Sequence, residues 1–210
     1  MKNKKILIVI IAILLMNLVY IYQNFIFFGT LPTTQIDRIG IIDGNITSEY
    51  SNSIHYYGNK SDEENSHGES LIDYLKHRGY NGEIYYYSAE DENGGISSNS
   101  IISGLNWLKD NDITKINISL SSKYKSEELE EWIINNPQIT IFCSYNNQIN
   151  SLDYPAMMNG TIASGCSNKI NYKNNDKKYK TSKLIIWNEG LHYYNGNSYL
   201  SLETLLNYKE

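Results

Sequence analysis

Residues Ile39 to Ile42 form an apolar run that ends in a single carboxylate, Asp43, and then in Gly44 and Asn45. A run this short, bounded by turn residues, has the pattern of a strand buried in a parallel sheet. In open parallel sheets, ligands and chemistry gather at the carboxyl ends of the strands. An Asp at that point is therefore either a helix N-cap or a site residue, and the run by itself leaves both open.

The remainder of the chain alternates strands with helices. Thr47 to Asn65 is polar and irregular, and its acidic run Asp62-Glu63-Glu64 reads as a solvated loop. Ser66-His67-Gly68-Glu69-Ser70 then leads into Leu71, Ile72 and Leu75, which share one face of a helix that Gly79 ends. His67 thus stands at a helix amino terminus. Glu83 to Tyr87 predicts a strand, and Ile101, Ile102, Leu105 and Leu108 predict a helix that ends near Asn111. Lys115 to Leu120 is an expected strand, and Glu127 to Asn135 an expected helix with acids in its first turn, where the macrodipole favours them. Further strands are expected at Gln138 to Cys143, Thr161 to Ser164 and Lys183 to Trp187, and the chain closes on Leu200, Leu202, Leu205 and Leu206. The fold class that follows is α/β with a mostly parallel sheet.

The amino terminus differs in kind. Lys2, Lys4 and Lys5 precede an apolar stretch from Ile6 to Phe28, and a membrane-spanning helix needs about 20 such residues. Lysines on its amino side alone favour a cytoplasmic amino terminus with the remainder outside. A cleaved signal peptide is the rival, but Asn24-Phe25-Ile26-Phe27-Phe28-Gly29 offers no small-x-small cleavage site. The expected organisation is a basic stub at 1–5, an anchor at 6–28, a tether at 29–35 containing Pro32, and one domain at 36–210. A net charge of -5 gives no electrostatic reason to expect nucleic acid as a partner. An external location would let Cys143 and Cys166 pair, yet both lie in or beside apolar runs and read first as small buried hydrophobes.

Asp43, His67, Asn146 and Ser198 each fall just past a strand end or at a helix start, beside small residues that permit sharp turns. These types suit acyl transfer: a histidine takes the proton of a serine, a carboxylate orients the histidine, and an Asn amide offers a donor to an oxyanion. Spacing alone does not show that they meet.

The same segments, in order, resemble the subtilisin-like serine peptidases across nearly all of Gln35 to Leu206. Ile39 to Asn45 resembles the strand that ends in the catalytic Asp, and Ser66 to Ser70 the histidine motif. Ile101 to Leu108 followed by Lys115 to Leu120 is similar to the central helix and the substrate-flanking strand. Ile139 to Asn146 resembles the strand delivering the oxyanion Asn, with Tyr154-Pro155-Ala156 following it, and Gly196 to Ser201 resembles the nucleophile motif. The resemblance implies a three-layer, doubly wound fold of subtilisin-like type. It implies that Asp43 orients His67, that His67 is general base towards Ser198, and that Asn146 and the Ser198 N–H form the oxyanion hole. It further implies that Ser119, Leu120 and Ser121 wall the primary specificity pocket, which Tyr145 crowds or fills, with an extended peptide or protein substrate adding as a β-strand.

The departures are Glu69 where the family has Thr, Tyr145 and Ser121-Ser122 where it has small residues and glycines, Asn188-Glu189-Gly190 where Ala-Pro-Gly is usual, and Asn197 for Thr. No propeptide of family type fits between anchor and Gln35, and the cover after Ser198 is expected to be trimmed to one helix. Two functions therefore stand: a membrane-anchored serine endopeptidase, or a pseudopeptidase that binds peptides or a protein partner. Neither His-x-x-x-His nor Cys-x-x-Cys occurs, so no metal and no cofactor is expected. His77 reads as a cation at a helix carboxyl end.

Overall fold

The computed structural model describes residues 2–31, 36–148 and 153–209. Its first element is helix α1 (Lys2–Asn24), whose apolar part Ile6–Asn24 is long enough to cross a membrane and is not buried against the domain. The helix stops at Asn24 rather than at Phe28. Ile26–Phe28 instead form strand β1, because Ile26 and Phe28 gain more by packing against the domain core than by extending a solvent- or lipid-exposed helix. Of the tether, the Leu31 N–H is held by the Arg78 carbonyl at 2.8 Å, and Pro32 to Gln35 lie outside the described residues.

The domain continues with β2 (Arg38–Asp43), α2 (Ser48–Ser51), β3 (His55–Tyr57), α3 (His67–His77), β4 (Glu83–Ser88), α4 (Ser98–Asp110) and β5 (Lys115–Ile118). It closes with α5 (Glu127–Asn135), β6 (Thr140–Ser144), β7 (Thr161–Gly165), β8 (Lys177–Lys178), β9 (Lys183–Trp187), β10 (Leu191–Asn195) and α6 (Asn197–Leu206). Seven strands make one sheet in the order β3-β4-β2-β5-β6-β7-β8, with every neighbouring pair parallel. A second sheet, β1-β9-β10, pairs β1 parallel and β10 antiparallel to β9.

Each face of the large sheet carries its own core. Ile39 and Ile41 of β2 and Phe142 of β6 meet Leu71, Ile72 and Leu75 of α3, Leu200, Leu202 and Leu205 of α6, and Leu184 and Ile186 of β9. Ile42, Ile116, Ile141 and Cys143 meet Leu105 and Leu108 of α4 and Leu129 and Ile133 of α5 on the other face. Helices cover both faces, giving the three-layer, doubly wound α/β fold. The polar segment 47–65 hides the edge strand β3, which alternation could not reveal because it is held by ring stacking. His55, Tyr56 and Tyr57 lie on Tyr85, Tyr86 and Tyr87 of β4, at centroid distances of 4.2, 5.8 and 5.4 Å.

Cys143 and Cys166 are free and belong to opposite faces of the sheet, so they do not pair. Burial pushes the Cys143 thiol up to about 12, as expected of a small buried hydrophobe. His77 differs from its expected role as a cation. Its ring stacks on His192 at 3.5 Å and bonds the Tyr194 hydroxyl at 2.5 Å. Burial, and then the neighbouring His192, lower its pKa.

Candidate active site

From β2 the chain runs out to β3 and β4 on one side, whereas from β5 it runs on to β6 and β7 on the other, so the connections diverge between β2 and β5. Such a switch point opens a crevice at the strand carboxyl ends. Asp43, the last residue of β2, stands there with its side chain 3% exposed. Its Oδ1 accepts the Gly44 N–H at 2.9 Å.

His67 is the first residue of α3, and the loop before it is built with care. Ser66 is the N-cap: its hydroxyl accepts the Glu69 N–H at 3.3 Å, and Glu69 accepts the Ser66 N–H at 3.1 Å, closing a capping box. The other Glu69 oxygen accepts the Thr47 N–H at 2.9 Å and its hydroxyl at 2.6 Å. Burial raises the Glu69 pKa, but these donors outweigh it and hold it below the ordinary carboxylate value. The departure at Glu69 is thus a fastening of the histidine loop. Gly68 is required by close approach, since a Cβ there would lie 1.8 Å from the Tyr86 hydroxyl, which donates to the Gly44 carbonyl at 2.7 Å and braces the Asp43 turn.

The third group arrives through Gly196, whose φ of +151° suits only glycine. Gly196 is the N-cap of α6 and Ser198 is the second helical residue, so the Ser198 N–H has no partner within the helix and sits at the positive end of its dipole. The Ser198 side chain is largely buried.

These elements bring the three side chains into one line. His67 Nδ1 lies 3.0 Å from both Asp43 oxygens, and Nε2 lies 3.1 Å from Ser198 Oγ. The imidazole, 45% exposed, is open towards the crevice while the carboxylate behind it is not. Burial pulls the His67 pKa down, but the Asp43 hydrogen bond and charge prevail and hold it above the ordinary histidine value. A carboxylate that fixes the tautomer leaves Nε2 free to accept a proton from the hydroxyl, which is the arrangement nucleophilic acyl transfer requires.

The expected oxyanion residue, Asn146, has its side-chain oxygen turned to the Gln148 N–H at 2.9 Å. It is the next residue, Asn147, whose carboxamide faces the nucleophile turn: its Oδ1 accepts the Asn197 N–H at 2.8 Å, and both its terminal atoms lie 3.7 Å from the point where a Gly196 Cβ would sit. Both side-chain oxygens are thus engaged by backbone N–H groups, which leaves the Nδ2 of each amide as its donor.

Tyr145 does not line an open pocket. The residue is 1% exposed, with the hydroxyl bonded to Asp176 and the ring edge-on to Tyr172 at 5.2 Å. The alternation of β6 carries it to the α4–α5 face with Cys143. Asn197 ties this strand end to the nucleophile turn, since its Nδ2 donates to the Tyr145 carbonyl at 2.9 Å and the Asn146 carbonyl at 3.0 Å. Asn197→Ala should leave those two acceptors unpaired at a cost of about 1–3 kcal/mol, read as a lower urea midpoint, with Asn197→Thr recovering part of it.

Ser119, Leu120 and Ser121 follow the carboxyl end of β5, beside β2 and at the same sheet edge as Asp43. Leu120 is half-buried against the α4–α5 core, and Ser122 pairs with Tyr154 by two backbone bonds of 2.9 Å. Buried Asn117 links this segment to α6. It accepts from Ser119 Oγ at 2.9 Å and donates to Ser201 Oγ at 2.6 Å.

No protein-family model and no curated protein sequence matches the chain. Solved structures do. A lanthipeptide protease superposes with a TM-score of 0.55 at 15% identity, over 80% of this chain and 72% of that one. The prenylagaramide maturation protease PagA gives 0.53 at 14% identity, over 78% and 70%. The psychrophilic subtilisin-like protease Apa1 from the Antarctic psychrotroph Pseudoalteromonas sp. AS-11 gives 0.52 at 13% identity, over 68% of this chain and 38% of that one. The chain therefore spans well under half the length of Apa1. At such identities the likeness is one of fold, and the fold is subtilisin-like.

Proposed function

We propose that the chain is a membrane-anchored serine endopeptidase in which Ser198 attacks the scissile carbonyl, His67 takes its proton, and Asp43 holds the imidazole. The observation that carries this reading is the unbroken line from the Asp43 carboxylate through both nitrogens of His67 to Ser198 Oγ, at 3.0 and 3.1 Å. As the tetrahedral intermediate forms, its oxygen would be met by the Ser198 N–H and the Asn147 amide, with Asn146 holding the turn. His67 then returns the proton to the leaving amine, and water repeats the sequence to free the acyl product. Extended substrate would lie along Ser119 to Ser121 as an added strand.

Two observations support a permanent anchor. The residues after the apolar helix are built into the domain as β1, and the Arg78 guanidinium donates to the Gly29 carbonyl. The basic residues before the helix support a cytoplasmic amino terminus and an external domain.

A fluorophosphonate, which traps an activated serine, is expected to label the folded wild-type chain and to leave Ser198→Ala unlabelled. Failure to label a chain with a cooperative unfolding transition would overturn the peptidase reading. It would favour the pseudopeptidase, for which Asn197 in place of Thr beside Ser198 speaks.

A further inference from the structure

The small sheet has two unlike faces. Ile26 and Phe28 of β1, Leu184 and Ile186 of β9, and Tyr194 of β10 pack into the domain core. The register sets Phe27, Ile185 and Tyr193 in one row on the opposite face, with Trp187 opposite Leu191 in the next. That face is open: Trp187 is 72% exposed, Leu191 68%, Tyr193 56% and Phe27 50%. A contiguous exposed apolar face of this kind marks a contact surface.

Its place in the chain says what it contacts. Only Phe25 separates α1 from β1, and one residue spans about 3.5 Å, so this sheet begins where the apolar helix ends. The Phe25 ring meets Tyr193 edge-on at 6.1 Å, making the patch continuous with the helix terminus. Two ammonium groups mark the same level: Lys180 lies 4.7 Å from the Tyr22 ring centre and Lys183 5.8 Å from that of Phe25. Aromatic rings beside lysines form the composition that settles at the headgroup layer, with rings among the carbonyls and ammoniums at the phosphates.

We propose that the exposed face of the β1–β9–β10 sheet rests on the bilayer that α1 crosses, as a second membrane contact of the domain. This rests on the anchored reading above. It gives the hairpin a task beyond packing. β10 ends at Asn195, three residues before Ser198, so a hairpin held on the lipid fixes the height of the nucleophile and restricts cleavage to peptide segments close to the surface.

Trp187 provides the test, since it is exposed and its replacement by Phe disturbs no core contact. The full chain and its Trp187→Phe variant are placed in phosphatidylcholine–phosphatidylglycerol vesicles, floated, and compared by tryptophan emission. The difference between them reports Trp187. The expected result is a blue-shifted component that a lipid nitroxide just below the carbonyls more than halves and aqueous iodide scarcely touches. A chain that floats with the vesicles while its Trp187 is quenched by iodide and spared by the nitroxide overturns this proposal and leaves the anchor standing. A chain that does not float overturns the anchor and this contact with it.

Discussion

Asp43→Asn should slow acylation of Ser198 by about 10⁴-fold while leaving the fold intact. The carboxylate accepts the His67 Nδ1–H at 3.0 Å and so presents Nε2 as the acceptor facing Ser198, 3.1 Å away. An Asn amide can donate to Nδ1, which moves the ring proton to Nε2 and removes the base from the hydroxyl. The Gly44 N–H keeps an acceptor in the Asn side-chain oxygen, so the turn survives. The pH profile carries a second signature. In the native chain the His67 pKa lies above its usual value because Asp43 outweighs burial. Reactivity should therefore fall as pH drops through a midpoint higher than about 6.5. Without the carboxylate only burial remains to act, and the midpoint of the residual reaction should shift downwards. Second-order labelling rates across pH measure both effects. Near-native rates in Asp43→Asn would reduce Asp43 to a brace for the Gly44 turn.

Arg78→Met should destabilise the domain by about 3–5 kcal/mol. Arg78 and Glu203 are 5% and 1% exposed, and their side chains are paired through Nε–Oε1, with Nη2 to Oε2 at 3.2 Å. The Tyr74 hydroxyl and Asn207 amide complete the carboxylate's shell at 2.8 and 3.1 Å. The pair joins the end of the helix that begins with His67 to the helix that carries Ser198, and through Gly29 it also holds β1. Removing the guanidinium alone leaves a buried carboxylate without its cation. The double replacement Arg78→Met/Glu203→Leu removes both charges and should recover most of the stability. Urea midpoints of the single and double variants measure the coupling. Additive losses would show that the pair contributes little.

The sequence was most legible where structure is local. α5 begins and ends at Glu127 and Asn135, and β9 at Lys183 and Trp187, as periodicity and caps require. Both signals act within one turn or two strand positions, so neighbours in the chain suffice to produce them. The order of motifs likewise implied a parallel three-layer fold with Asp, His and Ser at strand ends and helix starts. Tertiary structure decided the rest. Asp43 and His67 are 24 residues apart, and His67 and Ser198 are 131, and only the crossing of β2 by the β4–β5 connection brings them to one crevice. The Asn146 and Asn147 side-chain oxygens were oriented by the N–H groups the turn left unpaired, those of Gln148 and Asn197. Tyr145 was drawn inward because Tyr172 and Asp176, distant in sequence, supply its packing and its acceptor. Ile26–Phe28, apolar enough for the helix, became a strand because β9 offers hydrogen bonds and the core offers burial. Short-range pattern sets which element a residue can join, and long-range packing and unpaired donors set which way it points.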